Sequence, residues 1–185
     1  MARQPSFGSG ERMNSDTFEI RAATCCIGDR AAFLHTMREI SEEFGSHIIC
    51  FNADLVAGRP HVESAVRHAI RSVSCGTSIS KTLEMESLLY AAGSRQTSIG
   101  AEFGIHAGEN RMYVCCHPAK PGIWKALSGL MDFCADEDPW GVIEGKKKQV
   151  LMDRFSITEG ELGTTLDGDL VPLVLERVAL LDVNK

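Results

Sequence analysis

The sequence predicts an α+β domain, a small mixed or antiparallel sheet of about four strands covered by several helices. Two observations carry this. Short apolar or alternating runs at Thr17 to Ile27, Ser46 to Phe51, Arg111 to His117 and Val178 to Val183 read as strands. Between them lie six or more stretches with helical periodicity, and the two kinds mix without a regular βαβ alternation. A chain of 185 residues suits one such domain and can bury a full core without staples.

Met1 to Asp16 is rich in Ser, Gly and Arg and lacks periodicity, so a disordered extension is expected there, leaving 17–185 as the domain. After the first strand, Asp29 caps a helix that runs through Glu43, with Phe33, Met37 and Ile40 on one stripe and Gly45 ending it. Ser46 to Phe51 (SHIICF) suits a buried strand. Pro60 sits well in a helix start, where its missing N–H is not needed. That helix extends to about Val73, with Val62, Ala65, Val66, Ala69, Ile70 and Val73 inward.

The stretch Ser78 to Gly108 organises the rest. Ser80 is placed to cap a helix in which Met85, Leu88, Leu89 and Ala92 share one face and Glu86, Ser87 and Tyr90 the other. Gly93 suits a left-handed helix end. Ser94 opens a shorter helix with Ile99 and Phe103 at i, i+4, closed by Gly104. Beyond the strand at Arg111 to His117, Pro118 and Pro121 introduce a helix over Ile123 to Phe133. The acidic stretch Asp136 to Asp138 is a surface loop, and a helix follows from Gly145 to Phe155. Ser156 to Leu166 is a weaker helical turn. Asp167 to Val178 is the last helix, with Pro172 in its first turn, and VALLDV closes the chain as a strand.

Composition narrows the function classes. The net charge of −6 argues against a wholly basic nucleic-acid surface, though not against a local one. No run of 18 apolar residues exists and the N-terminus lacks an apolar signal region, so a cytoplasmic protein without membrane contact is expected. The seven cysteines are odd in number and none are spaced CxxC; they read as reduced, mostly buried small hydrophobes. Cys115 or Cys116 with His117 lacks a second ligand pair for zinc, and His61 and His68, two turns apart, lack a third ligand. No metal or cofactor is expected.

Catalytic motifs fail in an informative way. CGTSISKT (Cys75 to Thr82) has Cys75 and Ser80 where a phosphate loop needs glycines, and it follows a helix where a strand is required. GxGxxG, GxSxG and HExxH are absent from the sequence. Helix geometry scatters Lys81, Glu84, Glu86 and Tyr90 around one axis. The sequence therefore favours a binding protein with no catalytic residues. The rival, a small-molecule enzyme using Lys81, Glu84 or Tyr90, requires a closed pocket where those groups converge.

Leu83 and Tyr90 lie i, i+7 on the polar side of the central helix. Either a second helix packs over them, or they form a partner-facing patch beside a small basic cluster of Lys81, Arg95 and Gln96. Lys146, Lys147 and Lys148 form the only tight basic run, which reads either as a solvated helix start or as part of a basic site.

Two segments together resemble one family. The first holds Asn52, Ala53, Asp54, Val56, Ala57, His61, Ala65 and Ala69. The second holds Met85, Glu86, Leu88, Leu89, Tyr90, Ala91, Gly93, Arg95, Gln96, Ala101, Gly104, Ile105 and Gly108. The pattern is similar to that of the small accessory subunit of the KEOPS complex in its archaeal form, whose animal counterpart is the PRPK-binding protein. The resemblance runs from about Thr17 to Val183 and is strongest over Phe51 to Cys116; the closing ERVALL (176–181) looks like the family's C-terminal helix and strand. Thr97, where an apolar residue is usual, and Ala92, where serine is common, depart from the pattern. The resemblance implies a non-catalytic subunit that binds the complex's small atypical kinase/ATPase and, through it, the other subunits. It also implies support for threonylcarbamoyl-adenosine modification of tRNA and, in archaeal members, holding of the single-stranded CCA end. On this reading Lys81, Arg95, Gln96 and Lys146 to Lys148 are the tRNA candidates, and Leu83 and Tyr90 the kinase-facing ones. A structural kinase-binding module without RNA contact is the alternative.

Overall fold

The structure is a computed structural model that describes residues 17–183. The expected N-terminal extension lies outside the described residues. The fold is α+β. Four strands, β1 (Glu19–Ile27), β2 (His47–Asn52), β3 (Gly108–His117) and β4 (Asp132–Phe133), form one sheet in the order β2-β3-β1-β4. Every pairing is antiparallel.

The pleat divides the core in two. Successive strand side chains point to opposite faces. Along β3, Met112, Val114 and Cys116 enter one apolar cluster while Tyr113 and Cys115 enter the other. All five are fully buried, so both faces are covered. One cover is α1 (Arg30–Phe44) with α5 (Ile123–Leu127), through Met37, Ile40, Ile123 and Leu127. The other is built from α2 (Gly58–Ser74), α3 (Leu83–Ala92), α6 (Gly145–Phe155) and α8 (Val171–Val183). The short helices α4 (Thr97–Glu102) and α7 (Glu159–Leu162) and a 3-10 turn at Leu166–Gly168 complete the described elements.

Local signals place several boundaries where the sequence puts them. The Asp29 carboxylate accepts from Ala31 N and Ala32 N at 2.8 and 3.1 Å, satisfying two orphan donors of α1. Gly93 ends α3 in the left-handed region at φ 57°, which glycine adopts without a Cβ penalty.

Three expectations are corrected. VALLDV is not a strand but the end of α8, because Val174, Val178 and Leu181 continue one buried stripe at spacings of four and three. The fourth strand is Asp132–Phe133, inside the stretch expected to be helical. Helix α5 ends at Leu127, and the chain then pairs with Ala23 and Thr24. Thr82 rather than Ser80 caps α3, its Oγ1 accepting from Met85 N at 3.3 Å, while Ser80 Oγ accepts from Thr82 N.

Candidate functional site

The segment 52–61 builds the entry to α2. Asn52 Oδ1 accepts from Asp54 N at 3.0 Å, forming a tight turn, and Asp54 pairs with Arg111 on β3. Ala57 precedes the helix and offers no capping side chain. One group from the helix's own first turn and one distant group serve the donors there. His61 Nδ1, fully buried, accepts from Ala57 N at 3.0 Å. The Asp138 carboxylate accepts from Arg59 N at 3.1 Å and from the Tyr113 hydroxyl. Burial, with Asp138 beside it, pushes the Tyr113 hydroxyl up, so it stays protonated and donates. The acidic 136–138 stretch is thus partly structural rather than a purely solvated loop.

Helix α3 is buried almost all round. The side read as polar is an interior side. Glu86 is fully buried and accepts from Ser72 Oγ at 2.9 Å, Ile79 N at 2.9 Å and Ser80 N at 2.7 Å. The loop that imitates a phosphate site is therefore pinned to α3 by a carboxylate. Tyr90 donates to Asp182 of α8, and His68 stacks on the Tyr90 ring at 5.3 Å. Arg71 and His68 reach the other Asp182 oxygen at 2.5 and 2.8 Å. Burial raises the Asp182 carboxyl, but these three bonds outweigh it and hold it well below the usual carboxylate range.

This placement corrects the partner-facing reading of Leu83 and Tyr90. They are 6% and 0% exposed, in the cluster shared by α2, α3 and α8. The other reading, helices packed over them, describes what is seen. The enzyme rival's three groups do not converge. Tyr90 faces Asp182, Glu84 pairs with His47 at 2.6 Å, and Lys81 lies exposed ahead of α3.

The basic candidates do not form one patch. Lys81 precedes α3 and Arg95 and Gln96 follow it, all exposed, with the ten-residue helix between them. That length is about 15 Å. Helix α6 touches Gly93 through Phe155, at its C-terminal end. Lys146, Lys147 and Lys148 are at its other end. Lys146 is exposed and Lys148 half-buried, whereas Lys147 donates to Trp140 O at 2.6 Å. Burial lowers the Lys147 ammonium, with Asp54 and Asp138 opposing that shift.

The cysteines also differ from expectation. Cys115 and Cys116 are buried, Cys25, Cys50 and Cys134 half-buried, and Cys26 and Cys75 exposed. Burial pushes the thiols of Cys115 and Cys116 up, and that of Cys50 to about 12, which suppresses the reactive thiolate. A thiol-titrating reagent is expected to label two of the seven cysteines rapidly in the native protein, Cys26 and Cys75, and all seven after denaturation. Rapid labelling of Cys115 or Cys116, read by mass spectrometry, would contradict the burial. No group of three metal-ligating side chains occurs among the described residues. No helix among them is long and apolar enough to cross a membrane.

One concave apolar surface was not legible in the sequence. A groove of about 460 Å³ runs between α1 and the α3–α4 pair, beside the outer edge of β2. Phe33, Leu34 and Met37 form one wall, Met85 and Leu88 the other, with Arg30 and Arg38 along the α1 side. Its available signal was Leu34, which widens the α1 stripe beyond what one packed face needs. Comparison with protein-family models and with curated proteins finds no match for the chain.

Proposed function

We propose that this protein is the accessory subunit of a KEOPS-type complex, binding the complex's small kinase/ATPase and helping to recruit tRNA through its CCA end. The observation that carries the reading is how the two resembling segments are used. Ala53, Val56, Ala57, His61, Ala65 and Ala69 are fully buried, as are Glu86, Leu89, Tyr90 and Ala91. Both segments serve the packed α2–α3 pair, and Arg95 and Gln96 follow it on the surface. Such a division suits a scaffold with a small polar contact point. A 3′ tail needs a few phosphate contacts and stacking surfaces, which an acidic protein can supply locally.

The test is a titration of the protein with intact tRNA and with tRNA trimmed of its CCA end, at two salt concentrations, alone and with the kinase subunit. Binding lost on trimming is expected. Reversing charge at Lys81 and Arg95 should weaken binding and flatten its salt dependence by about one unit of slope per lost phosphate contact. Because α3 separates the two residues, the single reversals tell which end takes part. Unchanged binding in both at low salt removes them from the site. A second reading, a kinase-docking module without RNA contact, is favoured by the tethering of Lys147 to Trp140 and by the net charge of −6. Complex formation with the kinase but no tRNA binding, alone or assembled, would select it. Failure to join the kinase would end both.

A further inference from the structure

Strand β2 is an outer strand of the sheet, and the direction of its main-chain groups can be read from its neighbours. Ala53 N donates to Arg111 O, which makes residues 53 and 111 a hydrogen-bonded pair. Antiparallel pairs alternate, so Ile48, Cys50 and Asn52 turn their N–H and C=O groups away from β3. Asn52 agrees, since its N–H reaches outward to Phe103 O at 2.7 Å. At the other end Ser46 is closed off by α1, its N–H on Ser41 O and its C=O on Ser41 Oγ. Between these closures, the amides of Ile48 and Cys50 have no hydrogen-bond partner among the described residues, and both residues line the groove.

An unpaired edge is a template for another strand, and proteins usually blunt or cover it. Here the edge is recessed and walled on both faces of the sheet. A strand laid beside β2 would send alternate side chains to α1 and to α3. On the α1 side, Arg30, Leu34 and Arg38 recur at intervals of four, giving cation, apolar, cation along one stripe. Neither arginine has an ion-pair partner among the described residues, whereas Glu84 across the groove is paired with His47. Arg30 and Arg38 are about 12 Å apart along a helix. Residues i and i+4 of an extended chain are about 13 Å apart. On the α3 side, Met85 and Leu88 offer apolar contact, beside Thr82 and the His47-paired Glu84.

We propose that the open edge of β2 docks an extended segment of a partner protein, added as a fifth strand, apolar at its centre with carboxylates four residues apart. The open main-chain pairs select a peptide, because a nucleic-acid strand has no alternating N–H and C=O to return. The two arginines select acidic flanks. This inference does not rest on the KEOPS reading.

The experiment uses the full chain and the blocked heptapeptide SEVIVES, which places glutamates against the arginines, isoleucine against Leu34 and valines against α3. Anisotropy gives affinity and amide hydrogen exchange gives the site. Binding is expected with exchange at Ile48 and Cys50 slowed at least about tenfold, since those amides then bond the added strand. The peptide N-methylated on its ladder-forming amides should lose binding. Arg30→Glu with Arg38→Glu should cost about tenfold in affinity. Cys50→Pro removes one outward donor while sparing the ladder to β3 and should weaken binding similarly. The charge reversal sits on exposed side chains and keeps the test valid should the proline variant fail to fold.

No binding up to about 1 mM overturns the proposal. So does binding that leaves both amides unprotected. Capture of oligo(U) in an arginine-dependent way with no peptide binding would assign the groove to RNA instead. A solution dimer dissolved by the double reversal would assign the edge to a second copy.

Discussion

Glu86→Ala is expected to lower the unfolding free energy by about 3–5 kcal/mol, among the larger effects a single substitution can have. The carboxylate is fully buried and accepts three hydrogen bonds, from Ser72 Oγ, Ile79 N and Ser80 N. Alanine leaves three donors without their acceptor, and each one buried and unsatisfied costs about 1–3 kcal/mol. Two of the donors belong to the half-buried loop before α3, where water can reach them, which keeps the total below the sum. Glu86→Gln keeps one acceptor oxygen for the loop amides and should lose only about 1–2 kcal/mol. Urea unfolding with an unchanged m-value measures the loss. Hydrogen exchange at Ile79 and Ser80 should quicken in the alanine variant well before global unfolding. A loss under about 1 kcal/mol, with those amides still protected, would show that the loop is held by other contacts.

Glu86 also marks the limit of the sequence reading. Its neighbours Ser87 and Tyr90 support a polar face by periodicity, yet α3 also carries Leu83, Met85, Leu88, Leu89, Ala91 and Ala92. A helix apolar on every side is an interior helix. Weighing total hydrophobicity over moment would have buried Leu83 and Tyr90 and removed them as partner candidates. Local signals performed better where the physics is local. The Asp29 cap, the Gly45 and Gly93 termini, the alternation in β1 and the apolar run in β3 each depend on neighbouring residues alone.

What was illegible is long-range. Asp138 serves the start of α2 from 79 residues away, and Asp182 gathers Tyr90, His68 and Arg71 from two other helices. The two-residue β4 is too short to produce a pattern and exists because Ala23 and Thr24 offer it an edge. The groove beside β2 is equally a product of assembly. Its walls come from helices separated by about forty residues, and its open amides follow from strand register. Register is invisible in composition. The basic residues fail as a cluster for the same reason: proximity in sequence across α3 became separation by the length of a helix.

The second large effect is on acid stability. His61 is fully buried, packed edge-on against Phe155 at 5.5 Å, with Nδ1 accepting from Ala57 N. Burial pushes its pKa down to about 3; the Ala91 carbonyl opposes the shift and the Lys147 charge adds to it. In the unfolded chain the ring titrates near its ordinary value of about 6.5. Between these values the unfolded state binds the extra proton, so stability rises with pH across that window. The contribution is fully present above about pH 6.5 and is lost progressively as pH falls toward 3. From pH 7 to pH 5 the loss from this group alone is about 2 kcal/mol. The carboxyls held low, such as Asp182, lose their contribution only below the ordinary carboxylate range, so the upper part of the window belongs to His61. His61→Asn supplies an oxygen that can accept from Ala57 N but takes up no proton. It should be less stable at pH 7, because it leaves space beside Phe155, yet nearly flat between pH 7 and pH 5. Denaturant unfolding of both proteins at four pH values in that range decides the matter. Parallel slopes would mean that His61 is not the titrating group, since a protonated ring has no nitrogen left to accept from Ala57 N.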